Sequence, residues 1–204
     1  MDQEKLLEVL EKVDSFFQAQ NKDYWIIGGV AVAGLNESFF RDNEDIDLLI
    51  WRNNFNGLVE QLRNKFEKFE IYPYQRNERD RIYIRQNNKN IIEIIPIETN
   101  DKYFYIKFAD DKNIDNKIKY LFNNLLKKQE KQINDVKFII PSKELIYILT
   151  RRHYEYADLQ KRDDVRAKKI VDLIRIVRII GKEKIAMLDN NYFNNKPLIL
   201  AGRL

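Results

Sequence analysis

A chain of 204 residues with 44% hydrophobic residues is long enough to bury the core of one ordinary domain, or of a small domain with a helical appendage. The absence of cysteine and the single histidine, His153, exclude disulfides, thiolate metal centres and histidine-rich zinc sites, so any bound metal needs oxygen ligands. The net charge of +4 suits an anionic ligand, and the lack of an apolar run of roughly 20 residues or of a secretion signal predicts a cytoplasmic protein without membrane contact.

The first third of the chain alternates helical and extended patterns. Asp2 is placed to cap a first helix, Gly28 and Gly29 interrupt the pattern after a short apolar strand, and Asn53 or Asn54 can cap a later helix. The periodicity predicts helices over 2–20, 30–35 and 54–66 and strands over 24–27 and 45–51.

The remainder is rich in strands and then in helices. Strands are predicted over 69–74, 81–86, 90–98, 103–108 and 136–140, and a helical or irregular segment over 114–127. Helices are predicted over 141–152, opened by Pro141 and Ser142, and over 163–180, ended by Gly181. Consecutive strands with short connections pair in antiparallel fashion. We therefore expect an α/β (α+β) fold, with a mixed and mostly antiparallel sheet flanked by helices. A soft boundary near Pro141 separates a domain of residues 1–140 from a helical C-terminal region, 141–204.

Asp45 and Asp47 are the most informative pair of residues. Alternation along a strand places both side chains on one face, whereas Ile46 and Leu48 face the core. Two adjacent carboxylates repel each other unless a cation lies between them, and Mg²⁺ prefers such oxygen ligands. The pattern therefore predicts a magnesium site.

Two further features can join this site. Gly28 and Gly29 lie at a strand-to-helix turn, where the backbone can approach a phosphate and the helix start favours negative charge. Asp45 follows Gly29 by sixteen positions, enough for a short helix and a return loop to the same sheet edge. Glu93 lies within an isoleucine-rich strand, where a buried carboxylate needs a partner such as a shared metal.

The Gly-Gly turn, the segment Arg41-Asp42-Asn43-Glu44-Asp45-Ile46-Asp47 and the Glu93 strand together resemble the DNA-polymerase-beta-like nucleotidyltransferases. The resemblance is to the small bacterial and archaeal branch, with its lincosamide and aminoglycoside adenylyltransferases and abortive-infection toxins. Asn43 departs from the threonine frequent in this motif, and Glu93 from the more usual aspartate. The match covers residues 24–98 well and the helices of 141–180 loosely.

The resemblance implies a role for each matching residue. Gly28, Gly29 and Arg41 would bind the nucleotide, Asp45 and Asp47 would bind metal, and Glu93 would be the third carboxylate, as ligand or as base. By a looser match in the C-terminal helices, Lys168 is the preferred phosphate-binding lysine, with Lys169 and Arg166 as competitors. Two Mg²⁺ ions are expected with a nucleoside triphosphate bound, and Mn²⁺ could replace them.

Simpler interpretations of the same residues remain open. Asp-x-Asp can be a solvated strand face, and Gly-Gly an ordinary tight turn. Glu93 can form an ion pair with Arg81 or Arg85, and Lys168 and Lys169 can lie on the solvated side of a helix. His153, among charged neighbours, is expected at the surface.

The implied function is Mg²⁺-dependent transfer of a nucleoside monophosphate to an acceptor hydroxyl, with release of pyrophosphate. The acceptor is a small compound such as an antibiotic, or an RNA end, including the tRNA of a toxin-type enzyme. Residues 141–184 contain twelve Lys and Arg against seven Asp and Glu, which favours RNA slightly, although no basic patch interleaved with aromatic residues is evident. The alternatives are a catalytically silent relative that binds a nucleotide or a partner, and a nucleic-acid-binding module without chemistry. The oligomeric state is left open.

Overall fold

A computed structural model describes residues 1–76, 79–99, 103–107, 117–121 and 125–193. The helices within these ranges are α1 (Gln3–Ala19), α2 (Gly28–Leu35), α3 (Arg52–Phe55), α4 (Leu58–Lys65), α5 (Lys143–Leu159), α6 (Asp163–Ile180) and α7 (Lys182–Tyr192). The strands are β1 (Tyr24–Ile27), β2 (Ile46–Trp51), β3 (Glu70–Arg76), β4 (Arg79–Gln86), β5 (Lys89–Thr99), β6 (Tyr103–Lys107), β7 (Lys117–Leu121), β8 (Gln129–Ile133) and β9 (Val136–Ile140).

The main sheet has the strand order β1-β2-β5-β4-β3, and β6 and β7 extend it from the end of β5. Only the β2–β5 pair is parallel among the described strand pairs, and the others are antiparallel, as predicted for a mixed sheet. The parallel pair arises because the β3–β4–β5 meander returns beside β2. This places a strand from residues 46–51 directly against one from residues 89–99.

Several local predictions are confirmed. The Asp2 carboxylate accepts a hydrogen bond of 2.8 Å from the Lys5 backbone N–H and caps α1, and Ser142 caps α5 in the same way. The meander pairs as neighbouring antiparallel strands. α6 ends at Gly181, whose positive φ of 90° halts the helix.

Other local predictions are wrong for identifiable reasons. The helix expected over 54–66 is divided into α3 and α4, because Gly57 adopts a left-handed conformation with a φ of 74°. Residues 117–121 form a strand that pairs with β6, where a helical or irregular segment was expected. The rest of that expectation lies partly outside the described residues. The short strand β8 was not predicted, and it pairs with β9 around Asn134, which has a φ of 50°.

The C-terminal helices share the core of the sheet domain. α2 packs against α5 and α6, and one continuous cluster of buried side chains extends from Leu6 to Phe193. The Tyr147 hydroxyl, buried on α5, donates a hydrogen bond of 2.6 Å to the Asp189 carboxylate of α7. His153 is exposed, as expected. Among the described residues, no helix is both long and apolar enough to cross a membrane.

Candidate active site

Asp47 lies at the junction of three strands. Its neighbour on β1 is Ile27, directly before the glycine pair, and its neighbour on the parallel strand β5 is Glu93. Residues in register on adjacent strands project to the same face, so Asp47 and Glu93 stand side by side. Asp45, two residues earlier, precedes the first residue of β2. The register thus places Glu93 of β5 beside Asp47 of β2, although the two are far apart in the sequence, and Asp45 is close enough to raise the pKa of Asp47.

The glycine pair is shaped around these residues. Gly28 starts α2 with a φ of 68°, and a Cβ atom at this position would lie 2.6 Å from Oδ2 of Asp47. A Cβ atom on Gly29 would collide with the Asn43 side-chain oxygen and with Nη2 of Arg41. Gly28 is therefore favoured by both its positive φ and its surroundings, and a side chain at position 29 would have to displace Arg41 and Asn43. The helix begins at Gly28, two residues earlier than predicted, so its start lies beside Asp47.

Burial and mutual repulsion dominate the electrostatics of the carboxylates. Burial raises the pKa of Asp47 well above its ordinary value, and the charges of Asp45 and Glu93 raise it further. Burial also raises the pKa of Asp45, an effect that the positive charge of Lys169 opposes. A site that disfavours its own negative charges gains stability from a bound cation.

Glu93 has a cationic neighbour on the next strand. The Arg81 side chain, 6% exposed, donates a hydrogen bond of 3.0 Å from Nε to Oε1 of Glu93. The ion-pair alternative for Glu93 is therefore present in the structure. This contact orients the carboxylate at the face shared with Asp47 and leaves its role as metal ligand or base a prediction.

Arg41 is held from the C-terminal region. Its Nε and Nη2 atoms donate hydrogen bonds of 2.7 Å each to the two carboxylate oxygens of Asp172, a residue of α6 that is fully buried. Such a bidentate pair fixes the plane of the guanidinium group. Nη2 also lies against Gly29. Arg41 is thus placed at the start of α2, where it is predicted to contact a nucleotide.

The two adjacent lysines of α6 differ in environment. Lys168 is 42% exposed in its side chain and pairs with Glu44, whereas Lys169 is buried, with Nζ 3.9 Å from Oδ2 of Asp172. The positive charge of Lys169 lowers the pKa of both Asp45 and Asp47, opposing the effect of burial. The solvated-face interpretation therefore fails for Lys169. The preference for Lys168 as phosphate ligand stays a prediction that the geometry does not favour.

The donor set fits Mg²⁺ bound together with a substrate. No three acidic, histidine or cysteine side chains in the described part of the chain converge into a metal cage. Mg²⁺ is usually held by one or two carboxylates together with substrate phosphates and water rather than by an all-protein cage. Asp45 and Asp47, with their raised pKa values, have the chemistry for such a partial site.

The sequence pattern singled out Arg41 and Glu93 but gave little indication of the residues that pair with them. Asp172 as the partner of Arg41 lies 131 positions away and gives no local signal. Arg81 was foreseen only as an alternative partner for Glu93. The difference between Lys168 and Lys169 could have been found from helical phase, because Lys169, Asp172 and Ile176 share one face.

Comparisons with known proteins identify the fold. No family model and no curated protein sequence matches the chain. The structure of ANT(2'')-Ia in complex with adenylyl-2"-tobramycin is similar with a TM-score of 0.64 at 17% identity, covering 92% of this chain and 97% of the other. The lincosamide antibiotic adenylyltransferase LnuA, lincomycin-bound, gives 0.58 at 19% identity, covering 88% and 98%. The Megavirus polyadenylate synthase gives 0.51 at 12% identity, with this chain spanning 38% of its length. The chain therefore has the polymerase-beta-like nucleotidyltransferase fold.

Proposed function

We propose that this chain, with its polymerase-beta-like fold, is a Mg²⁺-dependent nucleotidyltransferase. It would transfer a nucleoside monophosphate from a nucleoside triphosphate to an acceptor hydroxyl and release pyrophosphate. The observation that carries the proposal is the register that places Asp47 beside both Glu93 and the Gly28 turn. A carboxylate pair at the start of a helix can place a metal-bound triphosphate against a phosphate-binding backbone.

Each part of the site has a distinct task in this reaction. Asp45 and Asp47 would hold Mg²⁺, which when bound neutralises the phosphates and the leaving pyrophosphate. The N–H groups at the start of α2 would contact the triphosphate, beside Gly29 and the guanidinium group of Arg41. Lys169 lies near the carboxylates and is the lysine we favour for contact with phosphate.

The transfer step itself exchanges one bond for another. The acceptor oxygen forms a bond to the α-phosphorus, the bond from that phosphorus to the pyrophosphate oxygen breaks, and the hydroxyl proton must be removed. We assign its removal to Glu93, which Arg81 holds at the face of the sheet next to Asp47. Holding the reactants in this orientation and neutralising their charge would supply most of the rate acceleration.

The same ion pair also supports a second candidate function. Because Glu93 already has Arg81 as partner, the charge of Glu93 is compensated without a metal. This is what a catalytically silent relative that binds a nucleotide would require. The two functions differ in turnover, and a nucleotide-binding measurement alone does not separate them.

The test is incubation of the protein with each of the four α-labelled nucleoside triphosphates, with Mg²⁺ or Mn²⁺, and with RNA or a panel of aminocyclitol and lincosamide antibiotics. The Asp45→Asn/Asp47→Asn variant is the control. Label entering one acceptor in the parent protein alone would support the proposal. Triphosphate binding without transfer to any acceptor would favour the silent relative, and no triphosphate binding would refute both.

A further inference from the structure

A line of polar and aromatic residues crosses the sheet from the carboxylates to its outer strand. Asp47 on β2 is in register with Glu93 on β5, Glu93 with Tyr83 on β4, and Tyr83 with Tyr72 on β3. Residues in register share one face of a sheet. The surface beside the proposed base therefore continues towards the edge strand as a row of tyrosines.

These tyrosines form a defined surface with one arginine. The guanidinium carbon of Arg85 lies 4.5 Å from the ring centroid of Tyr72 and 5.5 Å from that of Tyr83. Tyr74 meets Tyr83 edge-on at 6.1 Å. We call Tyr72, Tyr74, Tyr83 and Arg85 the tyrosine platform. Tyr72 is 46% exposed, so the platform presents an aromatic ring to solvent.

The platform was not predicted from the sequence. Arg81, Tyr83 and Arg85 alternate along β4 and so share one face, although the pairing of Arg81 with Glu93 keeps this face from being a basic patch. The opposite face of the strand carries Ile82 and Ile84, both fully buried. The alternation with period two was the signal that could have found the platform.

The chemistry of the platform selects among the acceptors. Flat aromatic rings stack on nucleobases, and arginine binds phosphate or stacks in turn. A polycationic aminocyclitol would instead need several carboxylates, and the acidic residue directly opposite Arg85 is the exposed Glu70. Arg81 and Glu93 pair with each other. The charges on this face are therefore nearly balanced. Aromatic stacking is the main interaction that this face can make with a ligand.

Resting on the proposed function, we propose that the tyrosine platform binds the last bases of a single-stranded polynucleotide and delivers its terminal ribose hydroxyl to Glu93. Two strand spacings of about 4.8 Å separate Glu93 from Tyr72, or roughly 10 Å. That distance corresponds to about three stacked nucleotide steps of about 3.4 Å. The terminal hydroxyl oxygen bonds to the α-phosphorus, pyrophosphate leaves, and Glu93 takes the proton.

Binding is measured first, independently of turnover. The full chain carrying Asp45→Asn is titrated into a fluorescein-labelled ten-nucleotide RNA, and into DNA of the same sequence, and anisotropy is recorded. Adding Tyr72→Ala should weaken binding about 5- to 100-fold, as for the loss of one stacked base, whereas Tyr72→Phe should retain it. Tyr103→Ala is the matched control, because Tyr103 is 37% exposed on β6, outside the platform.

A second variant covers the case in which Tyr72→Ala does not fold. Arg85→Gln should lower the slope of log affinity against log salt by about 1, the loss of one phosphate contact. Unchanged affinity in Tyr72→Ala, or equal losses in Tyr72→Ala and Tyr103→Ala, would overturn the proposal.

The transfer assay separates this proposal from the proposed function. With the otherwise unmodified chain, label should enter RNA or DNA with a free 3′ end and should not enter the same oligonucleotide with a 3′-phosphate. Label in RNA alone would show that the 2′-hydroxyl is also read. Label that enters an antibiotic but no polynucleotide would refute the platform while leaving the nucleotidyltransferase intact.

Discussion

Substitution of Asp172 by Asn tests whether α6 holds Arg41, the arginine that we propose binds the nucleotide. Asp172 is fully buried, and both of its oxygens accept hydrogen bonds of 2.7 Å from Arg41. Asparagine keeps the volume but places an amide N–H₂ group against the guanidinium group and leaves its charge uncompensated. Breaking a buried ion pair in this way costs about 3–5 kcal/mol. For a chain of this length the loss corresponds to a melting temperature lower by about 6–20 °C.

The matched control is Asp158→Asn. Asp158 pairs with Arg166 at 3.0 Å, but its side chain is 53% exposed, and pairs of this kind contribute about 1 kcal/mol or less. Calorimetric melting of both variants should therefore show a large decrease for Asp172→Asn and a small one for Asp158→Asn. Equal decreases would refute the argument that burial makes the Arg41–Asp172 pair important.

A double variant separates stability from nucleotide binding. Replacing both partners, as in Arg41→Met/Asp172→Leu, removes the uncompensated charge and should restore much of the melting temperature. It should not restore triphosphate affinity, because the guanidinium group beside Gly29 is lost. The measurement is titration of nucleoside triphosphate with Mg²⁺. Recovery of parental affinity in the double variant would exclude Arg41 from the nucleotide site.

Three further predictions concern the turn, the lysines and the metal. Gly28→Ala should lower the free energy of unfolding by about 1–2 kcal/mol, because Gly28 has a left-handed backbone conformation. It should also lower the rate of nucleotidyl transfer, because the new methyl group displaces Asp47. Thermal melting measures the first effect, and a transfer assay measures the second. Lys169→Met should weaken triphosphate binding more than Lys168→Met, since Lys169 is buried near the carboxylates whereas Lys168 is exposed and pairs with Glu44. A triphosphate titration in which Lys168→Met shows the larger loss of affinity would support the original preference for Lys168. Without Mg²⁺, Asp47→Asn should have a higher melting temperature than the parent, because a buried and repelled charge is removed. The variant should also lose the stabilisation that Mg²⁺ gives the parent, about 2.7 kcal/mol when the Mg²⁺ concentration is a hundred times its Kd. An equal response of both proteins to Mg²⁺ would exclude Asp47 as a ligand.

The sequence predicted the central strands well because their signals are local. β1, β2 and the meander are apolar or alternating runs between turn residues, and the carboxylates of β2 stand out from such a run. Which strands pair with each other in the sheet could not be predicted in the same way. The parallel contact of β2 with β5, which places Asp47 beside Glu93, depends on the path of the whole meander. No short window of sequence contains that information.

Errors arose where a single residue changes the backbone or where a partner is remote. Gly57 divides one predicted helix because it adopts a positive φ, although glycine is tolerated within many helices. The environments of Lys168 and Lys169 differ because Lys169 lies on the buried side of α6, near Asp172 and the carboxylates, whereas Lys168 lies towards solvent. Helical phase suggests such a difference, but the packing partner of the helix decides which side is buried.

The contacts of α6 bear on where a functional unit can end. Residues 24–98 contain Gly28, Asp45, Asp47 and Glu93, and by themselves suggest that the catalytic part is complete before residue 141. Asp172, which pairs with Arg41, and the charged Lys169 both come from α6, and both act near Arg41 and the Asp45–Asp47 pair. A fragment ending at residue 140 would leave Arg41 without its carboxylate and the acidic pair without its buried cation. The C-terminal helices are therefore part of the proposed site, whatever boundary the chain composition suggests.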